Sequence, residues 1–170
     1  MEYRFQDVQF MSAAEKKTTL RAWVRFLKNG LRSQDFTKGL YHHLIQHCSF
    51  IAHYNRAGFY AHYFESGDST VHFLSQFDPR GPCLSVEYGY RGWLSGDYSD
   101  LNLAMVSEAA TFIPALLDAA RRTQRTADIA AAATLLARHG VTADGIRAED
   151  HNDDPLTQPS KPAKENLPNT

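Results

Sequence analysis

The stretch FIAHYNRAGFYAHYF, residues 50–64, carries the triplet Ala-His-Tyr twice, on either side of Asn55-Arg56-Ala57-Gly58. Two runs rich in Phe, Tyr and Ile, separated by Asn-Arg-Ala-Gly, have the form of a β-hairpin closed by a type I turn with Gly58 in the left-handed region. Side chains alternate faces along a strand, so the register decides whether His53 and His62 meet. With Asn55 and Phe59 closing the turn, His53 lies opposite Ala61 and His62 opposite Ala52, and the two rings face opposite ways. A two-residue Arg56-Ala57 loop would bring them to one face, but that turn wants positive φ at both positions, which Arg and Ala disfavour. The expectation is an aromatic hairpin over about 49–64 that divides its histidines.

Outward from this stretch the chain reads as helices on both sides. Ser12-Ala-Ala-Glu15 has the capping-box form. Leu20, Trp23, Val24, Leu27 and Leu31 follow at helical spacing, and Gly30 offers a left-handed stop, so a helix is expected over 13–29. Ser33 is the expected N-cap of a second helix running to about His47, with Phe36, Leu40, His43, Leu44 and His47 on one stripe. Beyond the hairpin, Asp68 or Ser69 caps a short helix ending before Asp78-Pro79-Arg80-Gly81-Pro82. Leu84-Ser-Val-Glu-Tyr88 alternates apolar and polar residues as a third strand would. From Ser99 or Asp100 a longer helix carries Leu101, Met105, Phe112 and Leu116, with a kink expected at Pro114. Thr126 is read as the cap of a separate alanine-rich helix ending at His139-Gly140. The expected fold is α+β: helices flanking a small antiparallel sheet built on the hairpin (about 49–64) plus a third strand (about 84–88).

The chain has 170 residues, 43% hydrophobic and 22% charged, which suits a single globular domain, expected over 1–146. Residues 147–170 hold Leu156 and Leu167 as their only large apolar side chains. Such a segment buries too little surface to offset its ordering entropy, and it is expected to be a disordered tail. No apolar run approaches the roughly 20 residues of a membrane helix, and MEYRFQDVQF is too polar for a signal peptide, so a cytoplasmic protein without a membrane partner is expected. Cys48 and Cys83 have no CxxC partner and read as free thiols.

Six of the eight histidines lie between His42 and His72. His43 and His47, four apart on a helix, point the same way, as two helical zinc ligands must, but Leu44 stands where HExxH carries its glutamate. A metal-dependent enzyme is therefore the third reading, with His43 and His47 its weak candidate ligands. No GxSxG elbow, phosphate loop or dinucleotide glycine pattern is present, and Gly89-Tyr-Arg-Gly92 lacks the spacing of the last. No cofactor and no catalytic residue is assigned.

The formal charge of -1 conceals an asymmetry, since residues 1–64 hold nine Lys and Arg against four Asp and Glu. Lys17, Arg21, Arg25, Lys28 and Arg32 recur every three or four residues and make a basic stripe beside the apolar face of the first helix. Tyr54, Arg56 and Tyr60 of the hairpin would add aromatic and cationic surface. These eight residues are the candidate binding site.

At CSFIAHYNRAGFYAHYF and TVHFLSQFD the chain resembles small accessory proteins of bacterial plasmids, phages and integrated elements. The resemblance covers roughly residues 15–80 and implies a bacterial context and a role in element maintenance or against host defence, with no activity attached. The expected function is a non-enzymatic binding protein with a protein partner, and the alternative is nucleic-acid binding through the same stripe.

Overall fold

A computed structural model describes residues 2–48, 50, 55–78 and 97–141. Its elements are helix α1 (Ala13–Lys28), a 3-10 turn (Ser33–Asp35), α2 (Lys38–His47), α3 (Arg56–Phe64), α4 (Gly67–Ser75) and α5 (Ser99–Arg138). Among the described residues there is no strand, only an isolated bridge between Val8 and Met11. The α+β expectation is thus overturned at the stretch that carried it. Asn55 is the N-cap of α3, and its side chain accepts from the Gly58 amide at 2.8 Å. An asparagine bonded to the amide three residues on also opens a turn, so Asn-Arg-Ala-Gly suits both structures. What separates them is the buried set. Phe59 and Tyr63 are buried, with Tyr60 and Phe64 half-buried beside them, while Ala61 and His62 are exposed. That is a four-residue period and excludes strand alternation. The expected first strand and third strand (about 84–88) lie outside the described residues, apart from Phe50, which is not in a strand. His53 and Tyr54 also lie outside them.

The capping box at Ser12 forms as expected, with Ser12 Oγ accepting from the Glu15 amide at 3.3 Å and the Glu15 carboxylate accepting from the Ser12 amide at 2.7 Å. The hydrogen bonds from Ser12 hold the Glu15 carboxyl below its usual range. Past α1, Gly30 and Leu31 both take positive φ, 73° and 61°. A leucine there is strained by its Cβ, and two contacts hold it: its side chain is buried, and its carbonyl accepts the Tyr60 hydroxyl at 2.8 Å. The second helix begins later than Ser33, because Thr37 is the side chain that caps it, accepting from the Leu40 amide at 3.2 Å. Ser66, not Asp68 or Ser69, caps α4.

Rings fill the core. Trp23 and Phe26 of α1 meet Phe77 and Phe64 at centroid distances of 4.7 and 5.1 Å. Phe36 stacks on Phe59 at 5.5 Å, and Phe73 meets Phe64 edge-on at 4.7 Å. Leu101, Ala104, Met105 and Ala109 of α5 complete this core, and the Trp23 indole N–H donates to the Met105 carbonyl at 2.9 Å. At the start of α4, Gly67 lies so close to α5 that a Cβ there would stand 2.4 Å from the Ala120 carbonyl oxygen and 2.6 Å from the Gln124 nitrogen.

A single helix, α5, replaces the two expected helices. Pro114 lies inside it, and Thr126 does not cap but donates its hydroxyl to the Arg122 carbonyl at 3.0 Å, a bond that a helix interior permits. By length and composition α5 is long and apolar enough to cross a membrane, and a third of its most apolar stretch is buried; the core helix of a soluble protein meets the same description. The chain divides into two compact units, Met1–Ala127 and Asp128–Thr170. The core belongs to the first; in the second, the described residues are the end of α5, where Ile129 and Leu135 are exposed, together with the three residues that follow.

Candidate functional site

Residues 2–6 alternate outward Glu2, Arg4 and Gln6 with half-buried Tyr3 and Phe5, which puts both rings on one side of an extended arm. The rings stack on one another, 6.0 Å apart and 13° from parallel. The arm is tied at two points: the Gln6 amide donates to Asp100 Oδ2 at 3.0 Å, and the Asp7 carboxylate accepts from the Ala13 amide at 2.7 Å. Between this arm and α1 lies a groove of about 710 Å³.

One stripe of α1 lines the groove. Leu20 and Val24 supply its apolar floor, and Lys17, Arg21, Arg25 and Lys28 supply its charged edge. Glu2 on the arm and Glu108 on α5 also reach it. These α1 positions recur at three and four residues, so they fall on one face over about 16 Å of helix. Arg25 is partly committed, since its Nε lies 3.2 Å from Asp35 Oδ1, which Asn29 also helps to hold. Lys17, Arg21 and Lys28 make no ion pair among the described residues. On the other side of Arg21 and Arg25 a second hollow, of about 550 Å³, is lined by Thr37 and Lys38 at the start of α2.

Four of the expected binding residues therefore converge on one concave surface; Arg32, Arg56 and Tyr60 do not join them, and Tyr54 lies outside the described residues. Arg32 is exposed beyond the end of α1 and does not line the groove. Arg56 donates to the Phe36 carbonyl at 3.1 Å, and Tyr60 uses its hydroxyl on Leu31. Both line a separate hollow of about 430 Å³ with Ser33 and Glu65. Burial, with the nearby Glu65 charge, pushes the Tyr60 phenol up. Tyr3 and Phe5 were not singled out in the sequence; the apolar-polar alternation of Tyr3-Arg4-Phe5-Gln6 is the signal that marks them.

The histidine candidates lie elsewhere, in a polar cluster where α1, α2 and the head of α5 meet. Lys16 has no exposed surface; its ammonium donates to Asp100 Oδ1 at 2.7 Å and to the Asp97 carbonyl at 3.0 Å, and lies 5.7 Å from the centre of the Tyr98 ring. Burial works against the Asp100 carboxylate, but the Lys16 hydrogen bond, the amides of Gln6 and Leu101 and the Lys16 charge outweigh it and hold its pKa below the usual value. Asn102 is the hub beside this pair. Its Nδ2 donates to the His47 carbonyl at 3.1 Å, which leaves Oδ1 to accept from His43 Nε2 at 2.7 Å and from the Cys48 thiol at 3.6 Å.

His43 thus carries a proton on Nε2, and among the described residues its Nδ1 has no hydrogen-bond partner. Burial is the main reason its pKa falls from 6.5 to about 4. His47 stacks on Tyr98 at 3.6 Å and is also lowered by burial. Burial pushes the Cys48 thiol up, away from the thiolate that a nucleophile needs. Asn102 Oδ1 takes the hydrogen bonds of both the Cys48 thiol and His43 Nε2, so this protonated Nε2 does not serve as a base for the thiol. Among the described residues no group of three His, Cys, Asp or Glu side chains could hold a metal ion.

Comparison with protein families, curated proteins and solved structures finds no match to this chain.

Proposed function

We propose that this chain is a binding protein that engages a protein partner through the face of α1 bearing Lys17, Arg21, Arg25 and Lys28. One observation carries the reading: the four cations and the stacked Tyr3–Phe5 pair enclose a single groove with an apolar floor. Protein interfaces combine an apolar centre with a charged edge and are enriched in aromatic and arginine side chains. A surface built to track a phosphate backbone would present cations with few carboxylates among them. Here Glu2 and Glu108 share the lining.

Recovery of partners from the native host tests the proposal. The unaltered chain should retain a stoichiometric protein, and the Arg21→Glu, Lys28→Glu double variant should lose it. No such protein, or equal recovery by both chains, would refute the reading. Recovery of nucleic acid in its place, with affinity falling steeply as salt rises, would transfer the surface to the nucleic-acid reading.

A further inference from the structure

The groove also restricts the chemistry of what it can hold, and this step rests on the binding reading above. From Lys17 to Lys28 the cations follow one edge of α1, while Leu20 and Val24 lie beside them and Tyr3 and Phe5 form the facing wall. A ligand must therefore offer carboxylates and apolar groups on neighbouring faces. On an extended strand the two sets lie on opposite faces, so a strand cannot meet edge and floor together. On an α-helix, acidic residues four apart form one row and apolar residues three or four apart form the next. The rise per turn of such a helix matches that of α1, so acidic residues one turn and then two turns apart along it meet Lys17, Arg21 and Lys28.

We infer that the groove between the N-terminal arm and α1 takes an acidic amphipathic helix from another protein, with its carboxylates on Lys17, Arg21 and Lys28 and its apolar row against Leu20, Val24, Tyr3 and Phe5. Charge complementarity selects this occupant: the four cations of the lining outnumber Glu2 and Glu108, and three of them, without ion partners among the described residues, border an apolar surface. Arg25, already bonded to Asp35, contributes the stem of its side chain more than its charge.

Fluorescence anisotropy with the full chain and defined probes tests this. Three labelled peptides of about 18 residues, five turns of helix, share one composition of Glu, Leu, Ala and Gln. The first places Glu and Leu in adjacent helical rows, the second alternates them as a strand would, and the third is scrambled. A single-stranded oligonucleotide of equal charge is the fourth probe. The helical peptide should bind at least about tenfold more tightly than the other two peptides and the oligonucleotide. Tyr3→Ala with Phe5→Ala should remove most of that preference, and Lys17→Glu with Lys28→Glu should remove binding. Circular dichroism confirms that each variant keeps its helices.

Equal binding of the three peptides would show charge attraction alone and overturn the inference, as would tighter binding of the oligonucleotide or no binding of the helical probe. A native partner that depends on Arg21 and Lys28 but is indifferent to Tyr3→Ala and Phe5→Ala would also overturn it, while leaving the binding reading intact. Absence of any charge-sensitive partner would remove the reading itself.

Discussion

Acidification should destabilise this fold well above the range in which carboxylates titrate, and His43 is the reason. Its pKa falls from 6.5 to about 4 because its ring is buried, beside the charge of Lys16 from α1 and next to His47 on its own helix. The unfolded chain therefore binds a proton at His43 that the folded chain refuses throughout that window. The stability due to the neutral ring is complete above pH 6.5 and is lost as pH falls toward 4. At 1.36 kcal/mol per tenfold change in proton affinity the whole window is worth about 3 kcal/mol, of which about 2 kcal/mol is lost by pH 5. His47, lowered in the same direction, adds a smaller slope over an overlapping range. The assay is urea denaturation followed by circular dichroism between pH 7.5 and 4.5, for the native chain and for His43→Gln. Glutamine keeps a donor for Asn102 Oδ1 without a titrating ring. The native chain should lose about 2 kcal/mol more than the variant on going to pH 5. Parallel pH profiles would refute the burial argument, because they would show His43 titrating alike in both states.

Asp100→Ala should cost about 3 kcal/mol, since it strands the Lys16 ammonium in the core; adding Lys16→Met should recover part of that loss in the same denaturation assay. Because the Asp100 carboxylate also accepts from Gln6, the single variant should loosen the arm that carries Tyr3 and Phe5, read as faster amide exchange over residues 3–6. Gly67→Ala should lower stability by about 1–3 kcal/mol, its Cβ meeting the backbone of α5 at Ala120 and Gln124; an unchanged thermal midpoint would show that the two helices pack less closely than this. Asn55→Ala should cost about 1 kcal/mol by removing the α3 cap, whereas Asn55→Gly should cost only a few tenths, and the reverse order would disfavour the cap.

Local signals in the sequence were reliable where the chemistry admits one reading. The Ser12–Glu15 box begins α1 where it was expected, and the three- and four-residue spacing of Lys17, Arg21, Arg25 and Lys28 does place them on one face. Asn55-Arg-Ala-Gly58 failed because asparagine bonds to the amide three residues on in a turn and at a helix cap alike. The aromatic content around it then favoured a strand. The pattern that decides the matter, Phe59 and Tyr63 four apart, is present in the sequence, but only their burial in the fold separates it from the strand-like doubled triplet. Lys16 could not be told from Lys17 without tertiary structure, because its partner Asp100 is 84 residues away. The groove was half legible for the same reason: α1 contributes a periodic edge, while the facing wall comes from a short arm positioned by Asp100.

The binding surface is tested most directly by photo-crosslinking in the native host, with a benzophenone amino acid placed at Val24 in the groove floor or at exposed His62 on α3. The prediction is one discrete protein adduct from position 24 that disappears when Arg21→Glu and Lys28→Glu are added, and none from position 62. An adduct at 62 alone, or one at 24 that survives both charge reversals, would contradict it.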